Sequence, residues 1–207
     1  VIREETERFE VPLIFDEVIT GFRLAKGGAQ EYFGVIPDLA VFGKALGGGL
    51  PIGCICGKAE LMRVTDPRDP KHPIAGTFTT NPLTMAAARA FLKEIDRDDD
   101  LYSRLNRTSE RLIERLKEEI SKSRVEAVIT GEGSIFQVYF MREEPKNYRE
   151  VVKADKEKYK VMFLSMLLSG ILVSNRPLGR WYVSLSHSER DIEKTVSAFR
   201  EALLRAR

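Results

Sequence analysis

The sequence has little of what most metal and thiol chemistry needs. Its 207 residues include 2 cysteines and 2 histidines. Cys54 and Cys56 lie in "GCICG", where a strand turns both side chains to one face. A lone C-x-C makes a poor metal site, so the pair is read as small apolar filler. His72 and His187 join no His/Asp/Glu constellation and are assigned structural hydrogen bonds. Charge of one sign is scarce too. Lys plus Arg (33) nearly balances Asp plus Glu (31), without a long basic block, which removes the electrostatic footprint of a nucleic-acid binder. No apolar run approaches the roughly 20 residues that span a bilayer, and "VIREETERFE" is charged where a signal peptide is apolar. The expected address is cytoplasmic, with no membrane partner. The chain opens on Val1, and nothing before "VPLIFDEV" reads as a beginning, so a longer parent chain is expected.

What remains is a folded globular composition, 43% hydrophobic and 31% charged. Up to about residue 90, short apolar runs alternate with Gly and Pro: "VPLIF" (11 to 15), "DLAVFG" (38 to 43) and "IGCICG" (52 to 57). Runs that are apolar throughout predict strands covered on both faces of a parallel or mixed sheet. From Pro82 the period changes. "LTMAAARAFLKEI" (83 to 95) is rich in helix formers, and 101 to 120 places Leu101, Leu105, Leu112, Ile113 and Leu116 on one stripe. Between them "DRDDD" reads as a hinge or linker. A strand pair follows, "VEAVIT" and "GSIFQVYFM", then a helix over Asp155 to Ser169, short strands "ILVS" and "WYVSLS", and a closing helix from Glu189. The expected organisation is an α/β domain over residues 1–98 and a smaller α+β domain over 99–207.

Asp16 directly follows "LIF", and Lys44 follows "LAVFG" after a connection long enough for a crossover. In open α/β sheets ligands bind at the carboxyl ends of strands, so an acid and an amine are expected to share one crevice. A nucleotide-binding α/β domain fails on spacing. A P-loop needs glycine where Asp38 stands and Ser or Thr where Ala45 stands, and a dinucleotide fingerprint needs glycine at Ile52. A lysine that forms a Schiff base must instead be fixed at one point and able to lose its proton, which partial burial promotes. Pyridoxal phosphate, the commonest partner of such a lysine, also needs a carboxylate or Arg near its ring nitrogen to keep it an electron sink. Lys44 and Asp16 can supply the two ends.

These residues sit in longer blocks. "PLIFDEVITGFR" (12 to 23), "GGAQEYFGVIPDLAVFGKALGGGLPIG" (27 to 53) and "GTFTTNPLTMAAA" (76 to 88) resemble the second half of class III pyridoxal-phosphate aminotransferases of fold type I, above all the glutamate-1-semialdehyde aminomutases. From residue 100 the likeness is fainter, carried by "GSIFQVYF" and "SLSHSERDI". The resemblance implies the C-terminal part of a large cofactor domain followed by a small C-terminal domain. It implies transfer of an amino group, between molecules or as a 2,1 shift within one amino aldehyde or amino acid. Lys44 would be the Schiff-base lysine and proton shuttle, Asp16 the partner of the pyridinium nitrogen, and Val18 a ring-packing residue on the same face. Thr77 would donate its hydroxyl to the cofactor phosphate of a neighbouring subunit, which implies a homodimer.

Some readings stay open. Glycines 47 to 49 serve either close approach to the cofactor or a connection needing positive φ. In "RPLGRWYVSLSH" the aminomutases tend to carry an acidic "FEAGF". Arg180 here suits a substrate carboxylate, or is a surface arginine capping the strand. The same blocks also fit a catalytically silent fragment that serves only for dimerisation.

Overall fold

Apolar runs punctuated by Gly and Pro do become strands in the first half of the chain. The computed structural model describes residues 1–68 and 71–206, and its contacts divide into two units, Val1–Tyr102 and Ser103–Arg207. In the first unit, helix α1 (Ile2–Arg8) precedes strand β1 (Ile14–Glu17), and a turn with the short helix α2 (Ala29–Tyr32) leads to β2 (Leu39–Gly43). β2 pairs parallel with β1 and antiparallel with β3 (Gly53–Gly57), a mixed sheet in the order β1-β2-β3. After the short helix α3 (Ala59–Met62) comes helix α4 (Pro82–Asp96). Its start is fixed locally: the Asn81 side chain accepts from Leu83 N (3.0 Å) and Thr84 N (3.3 Å), and Pro82 takes the first turn, where no N–H is needed.

The core of this unit lies on one face of the sheet. Ala40, Phe42, Leu46 and Ala88 are buried there, with Phe15, Phe22 and Cys54 packed against them. Two-sided cover was expected and is not found: Ile14 and Ile55, on the opposite face, are 56% and 49% exposed. Among the described residues, α4 packs on the core side through Ala88, while on the other side Val18 covers Gly43 and leaves Ile14 and Ile55 open. At the end of the sheet where β2 begins, Asp38 ties its strands together. Its carboxylate takes the Leu13 N–H (2.7 Å), Arg3 (3.0 Å) and Lys58 (2.6 Å), and these partners, Lys58 foremost, hold its carboxyl far below the usual range.

The second unit starts within helix α5 (Leu101–Lys122), whose Leu105, Leu112 and Leu116 are buried as the stripe predicts. An antiparallel sheet of β4 (Val128–Glu132), β5 (Ile135–Tyr139) and β6 (Trp181–Tyr182) is accompanied by a short helix α6 (Tyr148–Val151), helix α7 (Lys156–Leu168) and helix α8 (Glu189–Arg205). Asp155 caps α7, and Ser188 with Asp191 forms a capping box at the start of α8. Phe136, Val138, Met162, Met166 and Phe199 form the centre of one apolar core.

The expected strand "ILVS" is not one, and of "WYVSLS" the strand comprises Trp181 and Tyr182, with Val183 N donating to Ser134 O at 3.0 Å. Side chains take the backbone carbonyls of the intervening segment: the Tyr159 hydroxyl donates to Ser174 O (2.8 Å) and Gln137 Nε2 to Pro177 O (2.8 Å). A segment satisfied in this way, with Ile171 and Val173 turned to the core, has no need of a strand ladder.

Candidate functional site

The parallel pairing of β1 and β2 brings two polar groups to the same end of one sheet. Asp16 is the register partner of Val41 and Glu17 of Phe42, so Lys44 emerges just past the carboxyl end of β2 beside the end of β1. Lys44 opens a single 3₁₀ turn (Lys44–Gly47) with φ 42°, a left-handed backbone that non-glycine residues seldom adopt and that clusters at functional sites. The turn closes on Gly48, whose φ of 57° favours glycine and whose missing Cβ would lie 3.5 Å from Ala87 O on α4. Of the readings left open for Gly47–Gly49, positive φ at Gly48 and Gly49 accounts for two of the three positions.

Asp16 points to the open face of the sheet, and its Oδ1 accepts the N–H of Val18 at 3.0 Å. Val18 leans over Gly43, where a Cβ would stand 3.6 Å from Val18 Cγ1. Asp16 and Val18, the latter covering buried Gly43, thus lie beside Lys44. The partial burial expected for the lysine is absent: both Lys44 and Asp16 are exposed.

Thr77 is exposed in the segment before α4 and lines a cavity of about 970 Å³ with Ile55, Phe78, Met85 and Leu92. Asp16 and Lys44 do not line that cavity. Arg180 is exposed and immediately precedes β6 in the second unit. Cys54 and Cys56 sit on the same face of β3 as free thiols, and burial pushes the Cys56 thiol up. Among the described residues no group of three or more His, Cys, Asp or Glu could hold a metal ion, and no helix is long and apolar enough to cross a membrane.

One residue near this surface escapes a reading by motif. Glu17 is 1% exposed and faces the core side of β1. The available signal was a carboxylate at the position where period-2 alternation from Phe15 calls for an apolar side chain.

Residues 1–203 match the family described as aminotransferase class-III. The chain belongs to this family. Among curated relatives, the glutamate-1-semialdehyde 2,1-aminomutase of Methanocaldococcus jannaschii is 42% identical over 200 residues, 97% of this chain and 46% of the relative. Among solved structures, an omega-transaminase from Sphaerobacter thermophilus superposes with a TM-score of 0.87 at 30% identity, covering 99% of this chain and 47% of that one. A transaminase with PLP bound gives 0.85 at 25% identity over 99% of this chain and 46% of its own. The mixed α/β fold of this class III aminotransferase chain is therefore that of the transaminases. The chain spans about half the length of the curated relatives it matches.

Proposed function

We propose that this class III aminotransferase chain carries the lysine and the ring-nitrogen carboxylate of a pyridoxal-phosphate enzyme that moves an amino group on a small amino acid or amino aldehyde. The observation that carries the reading is the meeting of Asp16 and Lys44 at the carboxyl ends of adjacent parallel strands, with Lys44 held at φ 42°. The residues fit such a cofactor. An exposed carboxylate tethered through one oxygen to Val18 N can accept a ring N–H, and the Val18 side chain, packed over Gly43, offers an apolar contact.

When bound, pyridoxal phosphate supplies the electron sink that stabilises negative charge on the substrate carbon bearing the amino group. The chain's own residues do the rest. Lys44 Nζ would hold the cofactor covalently through its amine and, when free, would carry a proton to and from the substrate carbon. Asp16 would accept the ring N–H and keep that nitrogen protonated, and Val18 would offer the ring an apolar contact. Thr77 donates its hydroxyl to a cofactor phosphate across a homodimer, a role supported by its place beside exposed Ile74 and Phe78.

A 2,1 amino shift is the specific reaction favoured, on the 42% identity to the Methanocaldococcus jannaschii aminomutase. Borohydride reduction of the full-length protein with its cofactor, followed by peptide mapping, is expected to leave the pyridoxyl group on Lys44. A label on another lysine would sink the assignment.

A further inference from the structure

Glu17 lies one residue from Asp16 but on the other side of the strand, and at 1% exposure it is the most enclosed carboxylate among the described residues of its unit. A buried carboxylate is retained only where hydrogen bonds replace its water. Here they come from Ala29 N (2.7 Å), Gln30 N (2.9 Å) and the Thr20 hydroxyl (2.7 Å), with Gln30 Nε2 at 3.4 Å. The backbone carbonyl of Glu17 also accepts from Gly21 N at 2.9 Å. One residue therefore grips the turn between β1 and α2 near its start, through Thr20 and Gly21, and at its end, through Ala29 and Gln30. Gly28 passes so close that a Cβ there, at φ +78°, would fall 2.5 Å from Glu17 Oε2. No side chain fits at that position while the carboxylate keeps its place.

The gripped turn begins with Val18. Its N–H orients the Asp16 carboxylate at 3.0 Å, and its side chain covers Gly43. We propose that Glu17 is a positioning residue for the cofactor surface: by anchoring the 18–28 turn from the core side, it fixes the N–H that aims Asp16 and the side chain that meets the ring. This rests on the reading of Asp16 and Val18 as cofactor contacts. Glu17 itself touches neither cofactor nor substrate. A glutamine in its place keeps the volume but turns one acceptor oxygen into a donor facing donors, so the turn is released while the strand is kept.

The test uses the full-length protein in three forms: wild type, Glu17→Gln and Thr20→Val. Two quantities are read on folded protein, the dissociation constant for pyridoxal phosphate and the pH midpoint of the bound cofactor's visible absorption band. Residues that orient a metal's ligands cost about 10–100-fold in affinity when changed, and a comparable loss is expected for Glu17→Gln, with a displaced pH midpoint. Thr20→Val, which removes one hydroxyl and leaves the Ala29 and Gln30 contacts, is expected to shift both readouts in the same direction by less. A role confined to folding would lower the melting temperature of Glu17→Gln yet leave affinity and midpoint at wild-type values, and that result overturns the proposal. Should Glu17→Gln not fold, Thr20→Val decides: a shift in the midpoint supports the anchor, and an unchanged one overturns it. Wild-type protein that neither binds the cofactor nor shows the band would overturn the cofactor reading itself, and this inference with it.

Discussion

Asp16 and Val41 are register partners across two parallel strands, and Lys44 follows Val41 by three residues. That single pairing places an acid and an amine at one end of one sheet without any contact between them. The acid is tied to the backbone through Val18 N at 3.0 Å, and the amine stands on a left-handed residue at φ 42°. Both side chains are thus aimed by the backbone before any ligand arrives, which is the economical way to build a site.

Asp16→Ala is expected to cost activity rather than stability. An exposed residue at a strand end supports little core, so the midpoint of denaturation should move by no more than about 0.5 kcal/mol. Loss of a group that stabilises developing charge typically costs about 100-fold or more in turnover. Activity and denaturation measured on one preparation of the full-length protein check this, and near-normal turnover would reduce Asp16 to a turn-capping residue.

Gly48→Ala is expected to disturb the Lys44 turn. At φ 57° an alanine pays about 1–2 kcal/mol, and its Cβ meets α4 at the Ala87 carbonyl, 3.5 Å away. Thermal melting should register the loss, together with weaker cofactor binding if Lys44 shifts with the turn. Unaltered binding in a destabilised protein would separate the turn's stability from its role in placing the lysine.

Acid should weaken the second unit through Glu119. This carboxylate is 6% exposed and takes both Arg200 Nε (2.7 Å) and Nη2 (3.0 Å). The Arg200 hydrogen bonds hold its carboxyl below the ordinary value of 4.5, against the opposing effect of burial. A folded-state pKa depressed in this way contributes stability that is complete above the unfolded value and is lost as pH falls through the folded one. Glu119→Gln should therefore melt below wild type at pH 7, and the gap should narrow once pH drops under about 4.5. A gap that stays constant down to pH 3 would show that the ion pair contributes nothing to this dependence.

Phe199→Ala is expected to cost about 3–5 kcal/mol, the usual penalty for emptying a fully enclosed aromatic site. Phe199 is 0% exposed and packs edge-on to Trp181, with ring centroids 6.2 Å apart. Trp181 is the single tryptophan of the sequence, so its fluorescence reports the unfolding of this unit directly. A loss under about 1 kcal/mol would mean that neighbouring side chains collapse into the space.

Much of this could be read from local pattern. "LAVFG" became β2 because a continuous apolar run ends in glycine, and α8 starts at Glu189 because Ser188 and Asp191 satisfy each other's backbone. Readings that depended on distant partners fared worse. "ILVS" has strand composition, but the Tyr159 hydroxyl and the Gln137 amide, remote in sequence, take carbonyls of the segment it begins. Glu17 was passed over because its partners Ala29 and Gln30 lie 12 and 13 residues away. The exposure of Lys44 was illegible for a related reason: a run of apolar residues announces a strand end but not whether another layer lies above it.

The last expectation concerns the 207-residue chain on its own. Its sheet exposes Ile14 and Ile55 on the side that carries Asp16, and Lys44 stands in solvent. A site open to water loses the strengthened electrostatics and the orientation on which such catalysis depends. Assayed with excess pyridoxal phosphate and an amino donor, the isolated chain is expected to show no turnover. Mixing it with the part of a curated relative that this chain does not match is expected to restore activity. The isolated chain should also self-associate. Ile74 (55% exposed), Phe78 (77%) and Met85 (52%) gather round Thr77 and its cavity, and β1 and β3 end the sheet as unpaired edges. Sedimentation at rising concentration should reveal the association, and Phe78→Asp should weaken it without lowering the melting temperature, because the ring is not part of the core. Robust turnover by a monomeric 207-residue chain would overturn this account. Association that survives both Phe78→Asp and Ile74→Asp would move the contact from the Thr77 face to the strand edges.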